Sequence, residues 1–245
     1  MIETADHDGI AILNMHHGPV NALDLELLTA LPTTLAALAG ARAIVLTGSG
    51  RSFSAGVDLK RIVDGGPPYV EKFLPALSLA MLSLFDHPKP VVAAVNGHAL
   101  AGGCVLAAAC DIRLMSGGTI GLSELAAGVP FPTVALEIMR HAVGPALDVM
   151  VLKAGRLTPG QAMSVGLVHE IIEPDLLLGT ALRRADGLCA APPDVYALAK
   201  HQLHRPARER MDTGRPADDP RVLELWSAER TGRTLRHYLA SLRHG

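Results

Sequence analysis

Between Lys89 and Asp111 the chain carries no Asp, Glu, Lys or Arg. An apolar run this long either crosses a membrane or lies inside a protein core. Asn96, Gly97, His98, Gly102 and Gly103 sit in its middle. A polar Asn-Gly-His turn at bilayer depth would leave donors and acceptors without partners, so the buried core is the better reading. The run then divides into a strand (Val91 to Val95), a turn, and a small-residue helix (Ala99 to Cys110). Ala43 to Thr47 (AIVLT) is another strand, of the β-branched kind that parallel sheets bury on both faces.

Strands and helices alternate along the rest of the chain. Gly9 to Met15 reads as a strand, and His16-His17-Gly18-Pro19 as a turn. A helix opens at Asn21-Ala-Leu-Asp24 and runs to about Leu38, with Pro32 at a kink or boundary. Gly48 to Gly56 is a glycine-rich loop. Val70 to Asp86 has helical spacing, ended by Asp86-His-Pro88-Lys-Pro90. Short strands are expected at Ile112 to Met115 and Thr119 to Gly121, and helices at Thr133 to Val143 and Ala146 to Ala154. Thr158 is an N-cap with Pro159 in the first helical position. Val168 to Ile172 is a last strand, and Leu176 to Ala190 a helix. Ala190-Ala-Pro192-Pro193 reads as a linker. Beyond it the chain looks helical and more charged, with an amphipathic end from Val222 to Leu242. The pattern predicts an α/β core over residues 1–190 and a helical region over 191–245.

Composition removes several function classes. Lys+Arg is 22 against Asp+Glu 24, without the basic excess of a nucleic-acid binder. Aromatics are 3% of residues, too few for base-stacking platforms. A mean hydropathy of +0.28 is incompatible with disorder. Three cysteines (Cys104, Cys110, Cys189) make no disulfide framework and read as reduced. Met1 to Asp8 holds three acids and no basic segment ahead of an apolar one, unlike a signal peptide. The expected location is cytoplasmic.

Common site motifs fail in turn. Gly48-Ser-Gly50 follows a strand, but Phe53 stands where a dinucleotide fingerprint needs its third glycine. There is no Gly-Lys-Ser/Thr and no Gly-x-Ser-x-Gly. His169-Glu170-Ile-Ile-Glu173 lacks the second histidine of a zinc protease helix. His201 and His204 have ligand spacing but no accompanying Cys or carboxylate, and read as solvated residues of a charged helix. No metal site is expected.

Three features remain. Phe53-Ser-Ala-Gly-Val57-Asp58-Leu59 follows one buried strand. Val95-Asn-Gly-His-Ala-Leu-Ala-Gly102-Gly103-Cys104 follows another and opens a helix, where a glycine pair lets a ligand approach the backbone. Gly121-Leu-Ser-Glu124-Leu sets one acid among apolar residues. Taken singly, the glycine pair also fits close helix–sheet packing, and Glu124 a surface position at a helix start.

Together, and with Lys89-Pro-Val-Val-Ala-Ala-Val-Asn-Gly97, Cys110-Asp111 and Thr158 to Val168, they resemble the crotonase superfamily, the enoyl-CoA hydratases and isomerases. The resemblance spans nearly the whole chain. It implies a spiral of ββα units with a helical C-terminal trimerisation region, and hence a homotrimer or a dimer of trimers. It implies a CoA-thioester substrate from fatty acid metabolism, with coenzyme A entering as part of the substrate and no separate cofactor. It also implies an oxyanion hole from the backbone N–H groups of Val57 and Gly102. CoA and its acyl group are expected along Asn21, Ala22, Ser54, Ala55, Gly56, Asp58, Leu59, Gly103, Val105 and Phe131. His98 either lines the acyl site or pairs with a backbone carbonyl, the second being favoured. The basic stretch from Lys200 to Arg210 either meets CoA phosphates or forms a solvated face, the latter favoured.

Typical hydratases of that superfamily hold one water between two glutamates. Glu124 falls at the second position, but the first falls at Val105, which cannot carry a proton. A double-bond shift needs one carboxylate only. Details such as Gly121-Leu-Ser-Glu124 and Val129-Pro130-Phe131 are similar to the mitochondrial-type Δ3,Δ2-enoyl-CoA isomerases. An apolar wall of Leu122, Val105 and Phe131 is expected to raise the Glu124 pKa. Hydration with a substitute acid, or a CoA-thioester binding protein with little catalysis, stay open beside the isomerase reading.

Overall fold

The computed structural model of the chain describes residues 1–241. Its first half runs β1 (Ile2–His7), β2 (Ile10–Met15), α1 (Leu25–Ala37), β3 (Ala43–Gly48), β4 (Ser52–Ser54), α2 (Leu59–Phe85), β5 (Val91–Val95), β6 (His98–Leu100), α3 (Gly102–Ala108), β7 (Ile112–Met115), β8 (Ile120–Gly121) and α4 (Glu124–Ala127). There follow α5 (Thr133–Val143), α6 (Ala146–Lys153), β9 (Arg156–Leu157), α7 (Pro159–Ser164), β10 (Glu170–Ile171), α8 (Leu177–Leu188), α9 (Pro193–Ser227) and α10 (Glu229–Ser241). Leu242, the expected end of the amphipathic stretch, lies outside the described residues.

The repeated unit is strand, strand, helix. In the units that begin at β3, β5 and β7 the first strand enters one six-stranded sheet, ordered β1-β2-β3-β5-β7-β10, which also takes both strands of the first unit. The second strand enters a smaller sheet, ordered β4-β6-β8-β9. From β2 to β10 the large sheet is parallel, while β1 pairs antiparallel with β2. Successive units therefore wind as a spiral of ββα turns. The composition of β3 and β5 explains their place: every residue of β5, and Ala43 to Leu46 of β3, is buried.

Five elements differ from the sequence expectations. β1 pairs along its whole length although residues Glu3 to His7 are exposed, so it has no alternation that a pattern could reveal. β4 and β6 are three residues each, inside segments read as a loop and a turn. α1 continues through Pro32. α2 begins at Leu59, well before Val70, and bends at Gly66, whose φ of 57° and ψ of −156° turn the chain ahead of Pro67 and Pro68. The Thr158 cap is present, with Gln161 closing a capping box.

The expected linker falls between α8 and α9. α9 then lies along the core, packed on α5 and α2. Lys200, His204, Ala207 and Met211 are its buried stripe, at helical spacing. The basic stretch divides: Arg205 and Arg210 are exposed on a solvated face, as favoured, whereas Lys200 is buried. Lys200 bonds Asp111, Arg208 lies 3.2 Å from Asp86, and Arg210 bonds Glu137. These pairs fasten the helix to the core. His204 is also no surface residue: it is buried and stacks on Phe85 with ring centroids 3.8 Å apart. None of the described helices is long and apolar enough to cross a membrane.

Candidate active site

Two consecutive ββα turns bring the glycine loops together. Gly56 has φ +86°, and a Cβ there would lie 2.5 Å from the Leu100 carbonyl and 3.4 Å from the Gly102 nitrogen. A side chain at Gly103 would collide with the Ser54 carbonyl. Glycine is required at both positions because backbone meets backbone.

Main-chain pairing sets the direction of the Val57 amide. Leu23 donates its N–H to the Gly56 carbonyl at 2.8 Å and accepts the Asp58 N–H at 2.9 Å. In a parallel bridge this turns the N–H of the intervening Val57 away from Leu23. Gly102 follows Ala101, which holds φ +49° and ψ −125°. That conformation is strained for a residue with a Cβ, and it aims the next amide out of the turn. Among the described residues neither the Val57 nor the Gly102 amide has a protein acceptor. Leu23, Val57 and Leu77 side chains surround the Gly102 Cα. The arrangement is two backbone donors in an apolar setting.

Glu124 opens α4, and its Oε2 accepts the Ser123 N–H at 2.9 Å. No cation pairs with it among the described residues. Burial pushes its carboxyl up to about 7, against which the N–H bonds from Ser123 and Glu124 itself pull only weakly. The expected walls Leu122 and Val105 are fully buried, and Phe131 is half-buried against the same core. At neutral pH such a group both takes and gives a proton readily. Burial and the charge of Glu124 raise the Cys104 thiol far above its ordinary range, and burial pushes Cys110 up to about 12. Neither thiol is a nucleophile.

The other expected site residues divide into two groups. Ala22, Ala55, Val57, Asp58 and Leu59 are half-buried and form an accessible rim. Asn21 and Ser54 are fully buried. The Asn21 side chain donates to the Ser52 and Phe53 carbonyls and accepts the His17 N–H. Ser54 Oγ donates to the Asn21 carbonyl and accepts the Gly56 N–H. Their side chains thus hold the loop in shape. Asp58 accepts the Arg61 N–H and caps α2.

Among the described residues the His98 side chain pairs with no backbone carbonyl. Its Nδ1 accepts the Thr119 N–H at 3.1 Å and lies 3.0 Å from Thr119 Oγ1. The register that sets Ala99 opposite Ile120 makes Thr119 its neighbour.

Sequence reasoning missed the cover over Glu124. α10 packs on α4 and α2, with Leu235 buried and Thr234 against Gly128. Trp226 donates its indole N–H to the Pro130 carbonyl at 2.9 Å and sits 6.3 Å from the Phe73 ring. The single tryptophan of the chain was the available signal. A cavity of about 610 Å³ lies between α2 and α9, lined by Leu74, Pro132 and Val222, but none of the expected site residues lines it.

Residues 5–240 match the family model for enoyl-CoA hydratase/isomerase. Human mitochondrial enoyl-CoA delta isomerase 1 is 28% identical, over 99% of this chain and 83% of its own. A putative enoyl-CoA hydratase of Thermus thermophilus is 39% identical over 73% of this chain and 72% of its own. The crystal structure of the human mitochondrial delta3-delta2-enoyl-CoA isomerase superposes with a TM-score of 0.93 at 27% identity, covering 99% of this chain and 98% of that one.

Proposed function

The chain belongs to the enoyl-CoA hydratase/isomerase family, and from that premise we propose that it moves the double bond of a 3-enoyl-CoA thioester to position 2, with Glu124 as the only acid–base group. The observation that carries this is a contrast between two positions. Glu124 is an unpaired carboxylate at the edge of the core, while Val105, where the two-glutamate hydratases place their other acid, is a fully buried valine. One carboxylate suffices for the shift and leaves no second group to activate a water.

The step balances within the substrate. The ionised Glu124 removes a proton from C2. The electron pair spreads through the C3–C4 double bond and onto the thioester oxygen as a dienolate. The Val57 and Gly102 amides point at that oxygen, where one such donor is worth about 3–4 kcal/mol. Protonated Glu124 then returns the proton at C4, and the double bond rests between C2 and C3. A carboxyl near 7 serves both halves, since neither ionisation nor reprotonation is costly there. Ala22, Ala55, Asp58 and Leu59 are the rim positions for the CoA portion.

The test supplies a 3-enoyl-CoA and a 2-enoyl-CoA to the wild-type protein and to Glu124→Gln. The expected result is turnover of the 3-enoyl ester alone, lost in the variant. Hydration of the 2-enoyl ester at a comparable rate overturns the reading in favour of the hydratases among its relatives. Binding of both esters without turnover leaves a thioester-binding protein.

A further inference from the structure

Behind the sheet, away from both glycine loops, the ends of α3 and α5 meet α9 around a cavity of about 370 Å³. Arg113 lines it, 6% exposed, and makes no ion pair among the described residues. Its Nε and Nη1 donate to the Leu167 and Cys110 carbonyls at 2.6 Å each. Asp111, the neighbouring acid, is fully used. Lys200 bonds both its oxygens, and Oδ2 also accepts the Tyr196 hydroxyl and the Val91 N–H. The seam therefore holds two buried cations against one carboxylate.

The contact between Arg113 and His169 has a donor too many. His169 Nδ1 accepts the Arg113 backbone N–H at 3.0 Å, and His169 Nε2 lies 3.0 Å from Arg113 Nη2. A neutral imidazole that accepts at Nδ1 carries its proton at Nε2. Two N–H groups then face each other without an acceptor, beside a cavity with room for one. Leaving the buried Arg113 charge without a counter-charge is costly, and a ligand with oxygen lone pairs and negative charge removes that cost while accepting from the His169 N–H at the exposed mouth of the cavity.

We propose that this cavity is a binding site for a small oxyanion of the sulfate or phosphate type, held by Arg113 and His169. His141 and His204 complete the polar side of the cavity. Partial desolvation and the Arg113 charge hold His169 at about 4 and lower His141, and burial with the neighbouring His141 holds His204 at about 3, so His169 and His204 are uncharged at neutral pH. A bound anion raises each of these values, so binding takes up protons and tightens as pH falls.

Sulfate keeps two charges between pH 6 and 8, which makes it the right probe. Calorimetric titration with sodium sulfate, against sodium chloride at matched ionic strength, is expected to show one saturable site. Affinity should be higher at pH 6 than at pH 8. Saturation should lift Tm by roughly 5 °C. Arg113→Met should abolish the site. Because that variant loses a buried anchor and can fail to fold, Ala142→Glu decides independently. Ala142 lines the cavity from α5, and a glutamate there supplies the missing carboxylate from within the chain. Ala142→Glu should lose the sulfate response while turnover of the thioester is unchanged. A linear, unsaturable response, or the same response in Ala142→Glu, overturns the proposal.

Discussion

Glu124 and Asp111 both sit at the edge of the apolar core, and their neighbours could hardly be less alike. Asp111 meets a lysine, a tyrosine hydroxyl and a backbone N–H. Glu124 meets backbone N–H groups and no cation. The same fold therefore treats one carboxylate as a rivet and leaves the other in want of a proton. The reactivity proposed for Glu124 rests on what is withheld: a counter-charge beside it would favour its ionised form and oppose return of a proton.

The contrast is broken most severely by exchanging the reactive acid. Glu124→Gln should lower kcat for the 3-enoyl ester by about 10²–10⁴-fold, with KM little changed. Next comes the rivet. Lys200→Met leaves Asp111 buried without its cation and should cost about 3–5 kcal/mol in denaturant unfolding, with kcat kept where the protein is folded. Asp111→Asn in that background should recover part of the loss.

A pH series separates the two acids further. The folded-state value of Glu124, about 7, lies above its unfolded value of 4.5, so the folded protein holds that proton more tightly. The resulting stability is complete below about pH 4.5 and is lost as pH rises through 7. Glu124→Gln never ionises, so at pH 8 it should be more stable than wild type by about 2–3 kcal/mol. An inactive variant that is the sturdier protein would mark Glu124 as a functional group maintained at the expense of the fold. For wild type, the rate should rise with pH through about 7 as the base ionises. The smallest effect sharpens the picture: Val105→Glu places a like charge nearby and should move that rising limb upward by about one pH unit.

Apolar runs made the large sheet legible apart from β1. β3 and β5 are uninterrupted apolar runs, and Gly102-Gly103 marks where a helix begins against a strand. The small sheet was illegible because strands of two or three residues have no period. The first turns of α2 were missed because they lie before Gly65-Gly66-Pro67-Pro68, where the helix bends. Glu124 and its apolar walls were readable once the resemblance gave them order. His204 was misread because its sequence neighbours are charged, whereas burial depends on the face it shares with Lys200 and Ala207. Nothing in the sequence marks Ala101 as a positive-φ residue, since alanine lacks the licence that glycine advertises.

The amides of Val57 and Gly102 belong to the main chain, and that has a consequence for how such a protein changes over time. Point substitution exchanges side chains, so it cannot delete either donor outright. It can only shift the turns that aim them. The proton-handling half of the proposed chemistry, by contrast, is one side chain in a four-residue helix. A single codon at position 124 or 105 is then enough to redirect or silence the reaction while the anion-holding half is inherited intact. New activities on this scaffold begin with half of their machinery already installed.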